Sequence, residues 1–124
     1  NEIKEKVLSV KREHLEKYGA VSKIVAAEMA EGVRKLSSSS IGVSITGEAG
    51  PTSGDGKTVG LIYVAVTDGN RVLIEELHGR AGGDNCRNYN RIYAASSAFN
   101  AARVFLEKGS AKRSESLKEF LNSY

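Results

Sequence analysis

The run Ile41-Gly42-Val43-Ser44-Ile45-Thr46 passes directly into Gly47-Glu48-Ala49-Gly50-Pro51. A strand that ends in a glycine-rich turn can bring bare backbone up to a ligand. Gly47, Gly50, Gly54 and Gly56 permit positive φ and close approach without a Cβ, so amide N–H groups can meet an anion or a carbonyl. The hydroxyl of Thr46 stands at the strand's end. The stretch Pro51-Thr52-Ser53-Gly54-Asp55-Gly56-Lys57 is equally ordinary turn composition, and a plain connection between two strands has the same claim on it. Cys86 offers a different chemistry. A thiol near a helix start with Arg87 beside it could act as a nucleophile of lowered pKa, but nothing in the spacing brings His14 or His78 to it as a base. A lone cysteine is more often a partly buried, inert side chain. Two isolated histidines with no acidic pattern around them make no metal site, and no metal or other cofactor is expected.

These residues need elements to hold them. In the first strand Ile41, Val43 and Ile45 share one face and Gly42, Ser44 and Thr46 the other. Val59 to Thr67 is almost continuously apolar, as in a central strand covered on both faces. Asp68-Gly69-Asn70 turns it back into a partner strand, Arg71 to Leu77, in an antiparallel hairpin that ends near His78. Before the first strand, Glu2 to about Lys17 carries Ile3, Val7 and Val10 on a helical stripe that ends at Tyr18-Gly19, with His14 among charged neighbours and expected in solvent. Ser22 is the expected N-cap of a second helix, in which Val25, Met29, Val33 and Leu36 recur and Ala26, Ala27 and Ala30 allow close approach. A third, long helix from about Asn88 to Lys108 is expected to bury Ile92, Ser96, Phe99, Ala102 and Leu106, with Gly109 as its stop. Leu117, Phe120, Leu121 and Tyr124 follow helical spacing in a short charged tail, which docks on its own domain or on a neighbouring subunit.

The sum is an α/β fold, a three-layer α/β/α sandwich around a mixed sheet that is incomplete at its N-terminal side. Residues 1–110 form the domain and 111–124 the tail. The 124 residues, 40% hydrophobic, suit one core rather than two. A net charge of +3 is mild, and the basic residues are scattered among acidic ones, so nucleic acid is not an expected partner. No apolar run is long enough to span a bilayer, and neither a membrane nor a secretory route is expected, which leaves the cytoplasm. The single cysteine excludes an intrachain disulfide. An unfinished sheet and an apolar tail together make a homodimer plausible.

Four separated motifs carry a family resemblance: Thr46-Gly47-Glu48-Ala49-Gly50-Pro51, Gly19-Ala20-Val21-Ser22, Val59-Gly60-Leu61-Ile62-Tyr63-Val64-Ala65, and the opening Asn1-Glu2-Ile3-Lys4. From Asn1 to about Gly109 the chain resembles the C-terminal domain of the CinA family (competence/damage-inducible protein A). The resemblance implies hydrolysis of nicotinamide mononucleotide to nicotinate mononucleotide and ammonia, so a pyridine nucleotide is the expected substrate. It also implies a Glu-Ser-Cys-Thr-Gly-Gly segment carrying the nucleophilic serine ahead of Asn1. That missing segment is the expected partner of this chain, which is otherwise catalytically empty.

Carried over by motif, Lys4 takes the place of the lysine that accepts the serine's proton, with Ile3 where alanine is commoner. A lysine can do this when burial or nearby positive charge lowers its pKa; on spacing alone Lys4 is a solvated residue of a first helical turn. Thr46 matches the threonine of the family loop, placed to orient the substrate amide or to bond the serine–lysine pair, or else merely to close its strand with a bond to backbone. Gly47, Ala49 and Gly50 would give backbone donors to the nucleotide. Glu48, in place of isoleucine, sets an acid beside an expected phosphate. Where the family shows Gly-Asp-Arg, this chain has Gly83-Asp84-Asn85-Cys86-Arg87, so Arg87 is the first choice and Arg91 the reserve for the phosphate at the start of the long helix. Both are equally readable as solvated arginines.

Overall fold

Branched and apolar residues crowd Leu61–Thr67, and in the computed structural model, which describes residues 9–47, 60–107 and 113–124, this segment lies inside the sheet. Strands β1 (Gly42–Gly47), β2 (Leu61–Thr67), β3 (Arg71–His78) and the two-residue β4 (Glu115–Ser116) pair in that order. Ser44 stands opposite Ala65, and Ala65 opposite Ile74. Asp68 closes the β2–β3 hairpin by accepting the Asn70 and Arg71 amides, both at 2.9 Å, around Gly69 at φ +94°. The expectation was a mixed sheet; all pairings among the described strands are antiparallel. A three-residue hairpin turn cannot make the crossover that parallel neighbours require.

The described residues hold four helices, α1 (Arg12–Tyr18), α2 (Lys23–Ser37), α3 (Cys86–Leu106) and α4 (Leu117–Asn122), of which α2 and α3 lie on the two faces of the sheet and α1 packs on α2. Alternation along the strands sends Val43 and Ile45 with Ile62, Val64 and Val66 to one face, and Gly42, Ser44 and Thr46 with Tyr63 and Ala65 to the other. On the first face Ile62, Val64, Val66, Leu73 and Leu77 pack against Ala94, Ala98, Ala101 and Phe105 of α3. On the second, Ala65 packs against Ala26 and Ala30 of α2. Three layers result, as expected.

The buried side of α3 is not the expected one. Ile92, Phe99 and Leu106 are exposed, Phe99 to 80%, and the helix lies on its alanines. A backbone laid close to a sheet selects small side chains at the contact, and this steric demand outranks the size of the apolar residue. His14 also departs from expectation: it is buried, and its Nδ1 lies 2.9 Å from Oε1 of Glu28, itself buried on α2. A carboxylate partner on the neighbouring helix makes burial of an imidazole tolerable. Leu36 is exposed where the stripe on α2 predicted a core position. The tail docks on its own domain. Leu117 is buried with Ala27 and Val72, its amide donates to the Asn70 carbonyl at 2.9 Å, and the Arg71 guanidinium bonds both the Ser114 hydroxyl and the Ser114 carbonyl.

The contact between α2 and β1 is close. Ser22 caps α2 as expected, its hydroxyl oxygen accepting from the Val25 amide. The Ser44 hydroxyl then donates to the Ala26 carbonyl at 2.6 Å. A Cβ on Gly42 would come within 2.1 Å of the Ala30 carbonyl oxygen, so no side chain fits unless the helix backbone withdraws. We expect Gly42→Ala to lose about 1–3 kcal/mol of stability through this overpacking. Urea denaturation measures it, and a variant as stable as the parent would show that α2 can yield.

Candidate functional site

At the end of the sheet where β1 stops and β2 begins, a cavity of about 280 Å³ opens between the strands and α3. Ile45, Gly47 and Ile62 form its sheet wall, and Asn90, Arg91 and Ala94 its helix wall. Each wall follows from local structure. Ile45, Gly47 and Ile62 belong to the α3-facing side of the sheet, and 90, 91 and 94 fall together on a helix at three- and four-residue steps. Gly47 admits no side chain here, since a Cβ would meet the Leu61 carbonyl oxygen and Ile62 Cγ1 at 2.8 Å each. Three apolar residues, bare backbone, a carboxamide and one arginine suit a ligand with a flat apolar part and an anionic part.

Of the residues singled out from the sequence, Gly47 and Arg91 meet at this cavity. Arg87 is exposed in the first turn of α3. The residue before that turn, Asn85, has φ +61° and makes no side-chain cap hydrogen bond, and the positive end of the dipole of a 21-residue helix lies at this turn. Lys4, Ala49 and Gly50 lie outside the described residues, as does Glu48.

Thr46 faces the other way. Its side chain is on the α2 side of the sheet, buried, with the hydroxyl donating to the Ala20 carbonyl at 2.6 Å. The sheet therefore separates the Thr46 hydroxyl from Arg91. Its cross-strand partner is Tyr63. Burial, followed by the hydrogen bond its hydroxyl donates to Glu76 at 3.0 Å, pushes the Tyr63 phenol up to about 12, so at neutral pH it is a donor and not a base.

The thiol alternative finds no support in geometry. Cys86 is buried at the start of α3, whereas His14 pairs with Glu28 between α1 and α2, and the His78 Nε2 lies 3.0 Å from Glu76. Among the described residues no group of His, Cys, Asp and Glu is arranged to hold a metal ion, and no helix is long and apolar enough to cross a membrane.

Sequence reasoning missed Asn90 and Arg80. Asn90 is wholly buried; its Oδ1 accepts from the Arg80 amide and its Nδ2 donates to the Arg80 carbonyl, both at 2.8 Å. The Arg80 guanidinium lies 3.9 Å from the centroid of the Tyr89 ring. A signal existed. Position 90 continues the buried series 94, 98, 101 and 105 at helical spacing, and a carboxamide on such a stripe marks a backbone bond to be made.

Comparison with known proteins identifies the fold. A "CinA-like protein" of Syntrophomonas wolfei is 44% identical over 110 residues, which is 88% of this chain and 26% of that protein. A CinA superfamily protein from Escherichia coli has a crystal structure that superposes with TM-score 0.70 at 33% identity, over 81% of this chain and 56% of that one. The competence/damage inducible protein CihA from Agrobacterium tumefaciens superposes with TM-score 0.61, also at 33% identity, over 78% of this chain and 64% of its own. The chain thus spans about a quarter of the length of the curated relatives it matches. With the family profile described as the CinA C-terminal domain matching residues 1–106, the chain belongs to that family.

Proposed function

We propose that this chain forms the nucleotide-binding part of a nicotinamide-nucleotide amidohydrolase, the activity its family resemblance implies. The observation that carries the reading is the cavity at the end of β1, where Gly47 and Arg91 face one another across apolar walls. The pyridine ring would lie against Ile45 and Ile62, and the phosphate would reach Arg91 and Arg87 at the start of α3. In the reaction, a serine hydroxyl supplied from outside this chain attacks the carboxamide carbon while Lys4 accepts its proton. Collapse of the tetrahedral adduct breaks the C–N bond, and ammonia leaves with a proton returned by the lysine. Water then cleaves the ester and frees the serine, so the net change is amide plus water to acid plus ammonia.

A second reading, a non-catalytic nucleotide-binding module of the same fold, draws on one observation. The Thr46 hydroxyl is already donated to Ala20 and stands on the far side of the sheet from Arg91.

An ammonia-release assay on nicotinamide mononucleotide, run on the full-length product of the reading frame with its intact mass measured under denaturing conditions, separates the two. We expect turnover that Lys4→Ala abolishes with folding retained, and that Arg87→Ala slows chiefly through a higher KM. Thermal stabilisation by the nucleotide without any ammonia would establish the binding module instead. For Thr46→Val we expect a stability loss of about 1–3 kcal/mol, because the Ala20 carbonyl loses its donor, with kcat of the folded fraction unchanged. A fall in kcat beyond that fraction would give Thr46 a part in the chemistry.

A further inference from the structure

Asn90 combines three properties that a packing residue does not need. It is polar and fully buried in a helix whose other inward positions are cysteine, alanine and phenylalanine. Both ends of its carboxamide are engaged with the backbone of one residue, Arg80, at 2.8 Å. Only one orientation works, because turning the amide over would set N–H against N–H and oxygen against oxygen. It also lines the cavity beside Arg91.

The neighbourhood is shaped around this clamp. A Cβ at Gly79 would stand 2.1 Å from Asn90 Oδ1, and the carboxamide, buried and doubly bonded, has nowhere to go. The Gly79 amide in turn donates to the Gly60 carbonyl at 2.8 Å, at the point where the chain re-enters the sheet as β2. The contacts therefore run from α3 through Arg80 and Gly79 to Gly60, across the same sheet end that carries Gly47. The Arg80 side chain closes the arrangement by lying over Tyr89 on the flank of α3.

We propose that Asn90 is a positioning residue of the nucleotide site: its clamp on the Arg80 backbone sets α3, and with it Arg91 and Arg87, against the strand ends that carry Gly47 and Gly60. This rests on the nucleotide-site reading given above. Asn90 acts through Arg80 and needs no contact with the ligand.

Asn90→Asp keeps the side chain's shape, changes its hydrogen bonding and, when ionised, adds a negative charge beside Arg91, so the uncharged Asn90→Ala is read beside it. The ionised carboxylate accepts from the Arg80 amide but opposes the Arg80 carbonyl, whereas the neutral acid can make both bonds, and burial favours that neutral form. In the full-length protein we expect KM for nicotinamide mononucleotide to rise about tenfold or more at about pH 8, with kcat within about twofold of wild type. The variant-to-wild-type KM ratio should fall back toward one as the pH is lowered to about 5 and the acid is protonated. Asn90→Ala should show the raised KM at both pH values; should it not fold, Asn90→Leu, of similar size and without charge, takes its place. A KM ratio near one throughout, or one indifferent to pH, or a loss confined to kcat, overturns the proposal. Wild-type protein without turnover defeats the amidohydrolase reading by itself, and the same ratio is then read from dissociation constants for nicotinate mononucleotide. Wild-type protein that binds neither nucleotide overturns both.

Discussion

The constraint on which the rest of the structure depends is the direct seating of α2 on the inner face of β1. That face holds glycine, serine and threonine, and each does a separate job. Gly42 leaves space for the Ala30 carbonyl, Ser44 bonds the Ala26 carbonyl, and Thr46 bonds the Ala20 carbonyl just ahead of the helix. Larger side chains would hold the two backbones apart, and apolar ones of the same size would leave the Ala20 carbonyl without its donor. The close approach sets where β1 ends relative to the Gly19–Ser22 connection.

The two faces of the sheet consequently differ in kind. The α2 face is joined by hydroxyl-to-carbonyl bonds and alanine contacts, the α3 face by a layer of Ile, Val and Leu against alanine and Phe105. The cavity lies on the second face because Gly47 and Ala94 take up little room at its end. Any chemistry that used both Thr46 and Arg91 would have to take place around the rim of the sheet, since the sheet itself lies between the two side chains.

Much of this was legible in the residues. The strand alternation, the Asp68-Gly69-Asn70 hairpin, the Ser22 cap and the glycine stop after Tyr18 all follow from local chemistry, and local chemistry determined them. The inward face of α3 was not legible by size, because Ile92 and Phe99 outbid the alanines on any hydrophobic scale while the sheet selected for closeness. His14 read as solvated because its partner, Glu28, lies fourteen residues away on another helix, and no local spacing announces such a pair. β4 is two residues long, too short for a periodic signal, and exists because Arg71 and Asn70 hold the chain beside β3. For the site, Gly47 and Arg91 were found through motif and position. Asn90 escaped notice because a polar residue within a helical run is ordinarily assigned to the solvent side.

The alanine layer also explains why a single carboxamide can matter so much. Alanine buries little area and presents no shape that resists sliding or rotation, so Ala94, Ala98 and Ala101 permit α3 to lie close to the sheet without specifying its register. Register must come from residues with directional or bulky contacts. At the far end of the helix Phe105 inserts into the core beside Val104; at the cavity end the hydrogen-bonded pair of Asn90 and Arg80 supplies the directional contact. A helix pinned at two points cannot turn without breaking one of them, and the arginines lie nearer the second. The placement of the cationic wall of the cavity is thus determined by a hydrogen-bonded latch, whereas the opposite wall inherits its position from the α2–β1 seat. The geometry between Gly47 and Arg91 is the sum of these two independent attachments, made on opposite faces of one sheet.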